Sequence, residues 1–153
     1  MRCLLIALLV LRAVPCAGQD SGRAHGSLFF EVAGNAAVGA TMNVEYFFAA
    51  PVGVRVGAGI DLWSSTPVYP LQVVFLSGAG RSKLELAGGV TIAHEDPASS
   101  GNWHWDGTKV FGTGFIGYRY QKSRGFVFRL GVVPLLWTNS HIPWPAVGIG
   151  ATF

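Results

Sequence analysis

"VGATMNVEYFFAAPVGVRVGAGID", residues Val38–Asp61, separates into two faces when read two residues at a time. Before Ala50-Pro51 the even positions Val38, Ala40, Met42, Val44, Tyr46 and Phe48 are apolar, and Thr41, Asn43 and Glu45 hold odd ones. After that dipeptide Val54, Val56, Ala58, Ile60 and Leu62 oppose Gly53, Arg55, Gly57, Gly59 and Asp61. A two-residue period is that of a β-strand, whose successive side chains leave opposite faces. Proline between two such runs marks a turn. The stretch therefore reads as a hairpin with one bulky apolar face and one face of glycines and isolated charges.

The same sorting extends in both directions. Leu84, Leu86, Val90 and Ile92 oppose Lys83, Glu85 and Thr91. Ile116, Tyr118 and Tyr120 oppose Thr113 and Arg119, and Phe126, Phe128, Leu130 and Val132 oppose Arg129. Helical spacing is scarce, and glycine is scattered through every segment. Eight strands are predicted, over 27–34, 37–48, 52–63, 68–77, 82–93, 109–121, 125–136 and 144–153. Tight links follow the second, fourth and sixth strands, near Ala50-Pro51, "SGAGR" and "KSR". Longer ones follow the third, fifth and seventh, in "SSTP", His94 to Thr108 and "TNSHIP". Short turns at one end and long loops at the other are the habit of outer-membrane barrels. The link near Gly34-Asn35 is too short for its place among the loops.

Alternation alone also suits a soluble sandwich or a lipocalin-like barrel with the apolar face inward. Size favours the opposite sense here: small residues fit the bore of a narrow barrel, and large apolar ones suit lipid. Composition agrees, since only 12% of the 153 residues are charged, 50% are hydrophobic and 21 are glycine, while no uninterrupted apolar run after the first eleven residues is long enough for a spanning helix. Hydrocarbon tolerates no unpaired sheet edge, which leaves closure of the sheet. The expected fold is all-β, an eight-stranded antiparallel transmembrane β-barrel of up-and-down topology.

The first residues set the compartment. Met1-Arg2, the run Cys3–Leu11 and the small residues of "VPCAG" form a secretory signal peptide over 1–18, cut after Ala17 or Gly18, ahead of a barrel domain over 19–153. Pro15 before Cys16, with no leucine three before it, argues against lipidation of Cys16. Removing this segment takes away Arg2 and Arg12, leaving nine basic against eight acidic residues, so the basic character that would point to nucleic acid disappears. Both cysteines leave as well, so no disulfide is expected.

The succession "VGATMNVEYFF", "PVGVRVGAGID", "PVYPLQVVFLSG", "KLELAGGVTIAHED", "GTGFIGYRYQ", "GFVFRLGVVPLLW" and "PWPAVGIGATF" resembles the small outer-membrane β-barrel proteins of the Bacteroidetes type, with an OmpA/OmpX-like eight-stranded barrel. The pieces that carry the likeness are Glu45, Arg55, Gly117 to Tyr120, Phe128 to Pro134, and Pro143-Trp144. The resemblance runs from about residue 27 to the end. It implies a fold and an outer-membrane location in a diderm bacterium, and no particular activity. A chain that ends in Phe153, on an apolar stripe with Ile149 and Val147, also resembles the assembly signal read by the barrel-insertion machinery.

Assigned by alternation, Glu31, Glu45, Asp61 and Glu85 face Arg55, Lys83, Arg119 and Arg129 across the bore. Balanced charge in so narrow a space reads as an ion-pair network, since a selectivity lining carries an excess of one sign. Glu45 and Arg55 stand nearly symmetrically about Ala50-Pro51, which predicts a cross-strand pair. In the long loop His94, Glu95, Asp96, His104 and Asp106 are metal-ligand types at a spacing that matches no compact motif. Ser140 or Ser100 with His141 or His104 would be nucleophile and base of a lipid-modifying enzyme. Ser140 and His141 are adjacent, however, and an orienting acid is missing. Trp103, Trp105, Trp137 and Trp144 fit an aromatic belt. No catalysis, cofactor or metal is expected. The role expected is structural or in surface interaction, with outer-membrane lipid and the assembly machinery as partners and no external partner identifiable. A narrow passive channel is the alternative reading, and a loop-based lipid-modifying enzyme the third.

Overall fold

A computed structural model describes residues 25–36, 39–49, 51–62, 64–94, 108–137 and 140–153, with the backbone alone for residues 36, 135–137 and 140–142. The expected signal peptide lies outside these residues, as do Glu95, Asp96, Ser100, Trp103, His104, Trp105 and Asp106. Eight strands follow in order: β1 Gly26–Ala33, β2 Gly39–Ala49, β3 Val52–Asp61, β4 Thr66–Ser77, β5 Ser82–His94, β6 Thr108–Gln121, β7 Gly125–Trp137 and β8 Ser140–Thr152. Each pairs antiparallel with its sequence neighbours, and β8 returns to β1 from Ser27↔Thr152 to Ala33↔Ala146, closing the sheet. The turn end of this barrel carries the links after β2, β4 and β6, the start of β1 and the end of β8, and the loop end carries the other links.

Two stretches differ from the sequence reading. β8 begins at Ser140, four residues earlier than expected, because its ladder with β7 continues through Pro134↔Pro143 to Trp137↔Ser140. The expected loop "TNSHIP" is therefore mostly strand. Pro143 brings no N–H of its own to this extension, which runs past the last β1–β8 partners, Ala33 and Ala146. The link after β1 is a 3-10 turn, Gly34–Ala36, that folds into the bore instead of standing outside it. Ala33 and Gly34 take φ of 60° and 70° to make that bend, and a Cβ on Gly34 would stand 2.6 Å from Glu31 Oε1. Within the ladders, pairing skips the positions where Pro70 and Pro134 lack an N–H, opposite Gly57 and Gly114.

The two faces separate as the alternation requires. Outward stand Leu28, Phe30, Met42, Val44, Val54, Val56, Leu71, Val73, Leu84, Leu86, Ile116, Leu130, Val147 and Ile149, all exposed. The inward face is not only small and charged, however. Phe29, Phe47, Phe115, Val74, Val127 and Val133 are buried in the bore beside the polar residues. Eight strands enclose a space that side chains must fill to interior density, and glycine with charge alone would leave voids.

Candidate functional site

The centre of the bore is a belt of six ionised side chains, all with no exposed surface: Glu31 of β1, Glu45 of β2, Arg55 of β3, Glu85 of β5, Arg119 of β6 and Arg129 of β7. Glu45 and Arg55 are direct partners in the β2–β3 register, and Arg55 Nε and Nη2 both donate to Glu45 Oε1, at 2.8 and 2.5 Å. The second oxygen of Glu45 accepts from Ser27 Oγ at 2.6 Å and lies 2.6 Å from Arg119 Nη1. Glu85 is the hub. Its Oε1 meets Arg55 Nη2 and, at 2.7 Å, Arg129 Nη2, and its Oε2 lies 3.2 Å from Arg119 Nη1. Glu31 completes the set by accepting from Arg129 Nη1 at 2.6 Å. Three carboxylates thus balance three guanidiniums, and the planar forks of arginine let one cation serve two acids in a dry space.

Aromatic rings occupy the faces that the carboxylates leave. The Arg129 guanidinium carbon sits 3.9 Å from the Phe115 ring centre and 4.7 Å from that of Phe29, Arg55 lies 5.2 Å from Phe29, and Arg119 lies 5.5 Å from Phe47. Desolvated cations over ring faces are attracted by the ring quadrupole. Gly148 makes room for this arrangement, since a Cβ there would meet Arg129 Cγ at 2.6 Å.

Neutral polar groups tie the belt to the loop end. Arg55 Nη1 donates to Gln72 Oε1 at 2.8 Å, and Gln72 Nε2 donates to Asn35 Oδ1 at 2.8 Å. Asn35, on the inward turn, donates through its side chain and its backbone to Glu31 Oε1, at 3.1 and 3.2 Å. Above it lie Thr91 and Thr113, then Val68, Ala93 and Phe111. At the turn end Phe47, Val74 and Leu76 pack together. Apolar clusters thus lie beyond the belt toward both ends. Among the described residues only Asn43 Oδ1 and Arg129 Nε are buried side-chain polar atoms without a partner.

Two of the eight charges expected in the bore lie apart from this belt. Asp61 closes β3 at the loop end, paired with Gly39 and Thr66, and Lys83 opens β5 at the turn end opposite Arg119, both half-buried. Sequence reasoning missed Ser27, Asn35, Gln72 and the three rings, which share the inward parity but carry no charge to mark them. Trp144, expected in an outer belt, stands on the inward phase and packs against Phe115, Val133 and Ala146. Its parity with Ala146 and Gly148 carried that signal. Of the loop cluster only His94 is described, with Nδ1 3.2 Å from Thr108 Oγ1. The side chains of Trp137, Ser140 and His141 lie outside the described residues.

Phe153 extends β8 on the outward phase. Its N–H donates to Gly26 O at 3.0 Å, its carbonyl accepts from Gly26 and His25 at 3.0 and 3.1 Å, and its ring lies over the Cα of Gly26, where a Cβ would force the ring to shift. Ile149 and Val147 follow on the same exposed stripe.

No protein family matches the chain, and no curated protein does. Among solved structures, the N-terminal β-barrel domain of Pseudomonas aeruginosa OprF is similar, with a TM-score of 0.61 over 84% of this chain and 95% of that one, at 13% identity. At that identity the likeness is one of fold: the closed eight-stranded barrel is common to both.

Proposed function

We propose that this chain is an integral outer-membrane protein whose barrel serves envelope structure or surface interaction, with a closed lumen and no catalysis. The observation that carries this reading is the inversion of the usual soluble arrangement. Exposed Leu, Val, Ile, Phe and Met side chains cover the outside of the strands, while six fully buried charges occupy the inside. A soluble protein seldom exposes an apolar patch beyond a few hundred Å², and this surface runs around the whole sheet. Lipid is the solvent that such an exterior fits, and closure of the sheet spares it a free edge there. The signal peptide expected from the sequence and the fold shared with the OprF barrel support the outer membrane as the destination. Membership of the Bacteroidetes-type family, recognition of Phe153, Ile149 and Val147 by the insertion machinery, and the absence of cofactors belong to the same reading.

Neutral charge in the belt and apolar layers at both mouths support a sealed lumen over a narrow channel. The test is fractionation with heat-modifiable gel migration, followed by single-channel recording in planar bilayers. The expected result is a protein of the outer-membrane fraction that migrates faster unheated and carries no steady current. Recovery as a soluble periplasmic species would transfer the fold to the lipocalin-like reading, and a reproducible current would promote the channel. Turnover in a lipid-modification assay would promote the enzyme.

A further inference from the structure

The turn end of the barrel carries exposed cations. Arg81 in the β4–β5 turn and Lys122 and Arg124 in the β6–β7 turn are all exposed, and none has an ion-pair partner among the described residues. The two turns are contiguous, because Gln121 N–H donates to Arg81 O at 2.8 Å, just beyond the pairing of Ser82 with Tyr120. The second turn is held in shape: Lys122 N–H donates to Phe126 O at 3.1 Å, and Thr152 Oγ1 donates to Lys122 O at 2.8 Å. The described carboxylate side chains are elsewhere. Glu31, Glu45 and Glu85 are sealed in the bore, and Asp61 is at the opposite end.

Immediately above these cations the outer surface is aromatic. Tyr120 and Phe126 stand two residues from Lys122 and Arg124 on the same phase of their strands, with ring centres 6.4 Å apart, and Tyr118 OH meets Ser82 Oγ at 2.9 Å. A fixed row of cations bordering an aromatic band on an apolar wall matches the layering of a lipid leaflet, phosphate below and acyl chains above. We infer that the rim formed by Arg81, Lys122 and Arg124 binds the headgroups of anionic phospholipid in the leaflet at the turn end. The cations supply charge-assisted bonds to phosphate oxygens, and Tyr118, Tyr120 and Phe126 hold the glycerol and upper acyl region. An acidic polymer in solution would use the cations but have no use for the adjoining rings.

This inference rests on the membrane reading, and one experiment separates the two. The full barrel is refolded into phosphatidylcholine vesicles containing trace spin-labelled phosphatidylglycerol or spin-labelled phosphatidylcholine, and the motionally restricted fraction of each label is measured. The expected result is insertion with a roughly three- to tenfold preference for the glycerol lipid. That preference should fall as NaCl rises from about 0.05 to 0.5 M, because exposed charges are screened over a shorter distance. The variant Arg81→Gln/Lys122→Gln/Arg124→Gln should insert and lose the preference, and the charge-keeping variant Arg81→Lys/Lys122→Arg/Arg124→Lys should retain it. Failure of the unaltered protein to insert overturns the membrane reading itself. Insertion with equal affinity for both lipids, or a preference that survives in the Gln variant, overturns the rim alone and leaves those cations to an acidic polymer.

Discussion

Glu85 and its chain neighbours Leu84 and Leu86 stand one residue apart and answer to different rules. Glu85 is fully buried and meets three arginines by name, Arg55, Arg119 and Arg129. Leu84 and Leu86 point the other way, exposed, with nothing to specify them beyond being apolar. Inside the barrel a residue is defined by charge, volume and the geometry of a few partners. Outside, it is defined only by the solvent it must suit. The inner face should therefore be intolerant and non-additive to change, and the outer face tolerant of any substitution that keeps its polarity class.

The largest effect is expected where the inner rule is broken at its hub. Glu85→Leu leaves three buried guanidiniums against Glu31 and Glu45, and a buried ionic network that loses one partner is penalised by the charge left behind more than by the bond lost. Urea unfolding of the barrel in lipid vesicles should show a loss of roughly 5 kcal/mol, or no folded fraction at all. A loss below about 1 kcal/mol would mean that water reaches the belt and hydrates the unpaired cation.

Arg55→Leu comes next, at roughly 3–4 kcal/mol, because Glu45 keeps Arg119 and Glu85 keeps both Arg119 and Arg129. Adding Glu45→Gln restores the balance, with Glu31 and Glu85 against Arg119 and Arg129, so the double variant should be more stable than the sum of the single losses predicts by about 2 kcal/mol. Additive effects in that cycle would show that each charge is solvated independently, as in a water-filled pore.

On the outer face the contrast should appear within one position. Val44, mid-strand in β2 and exposed, should accept Leu with a change below about 0.5 kcal/mol, whereas Val44→Arg should cost about 2 kcal/mol in lipid. In a soluble barrel the ranking would vanish, since arginine on an aqueous surface is nearly silent. The same pair of variants thus tests which solvent the face was built for.

The difference between faces also explains what could be read without coordinates. Strand number, the outward stripes and the Glu45–Arg55 pairing all follow from local parity and from a turn at Ala50-Pro51, and the structure has those two residues in register. Phe29, Phe115 and Trp144 obey the same parity but escape a reading that equates apolar with outward. Phe29 and Phe115 are placed by the volume left between guanidiniums and Trp144 by the cluster of Phe115, Val133 and Ala146, which no single strand records. Asn35 escapes for a different reason: its turn is fixed by Gln72 on β4 and Glu31 on β1, partners brought together only when the sheet closes. The early start of β8 likewise depends on how far β7 runs opposite it, from Val133↔Trp144 to Trp137↔Ser140, which is a matter of register rather than of composition.

Phe153 is the one outward residue expected to depart from the tolerance of its face, and the departure should be in rate more than in stability. Its backbone makes the seam with Gly26 and His25 whatever the side chain is, so Phe153→Ala removes only ring contact over Gly26. That ring is 65% exposed, so the burial lost is small and the finished barrel should weaken by about 1 kcal/mol in urea titration. Before closure, however, the last strand has no partner on the β1 side, and a terminal aromatic on the stripe with Ile149 and Val147 is a feature that insertion machinery can grip. Folding into liposomes that contain the purified insertion machinery should slow severalfold for Phe153→Ala, while spontaneous folding into thin detergent micelles should change little. Equal slowing in both settings would assign Phe153 to packing at the seam, and the outward face would then be uniform to its last residue.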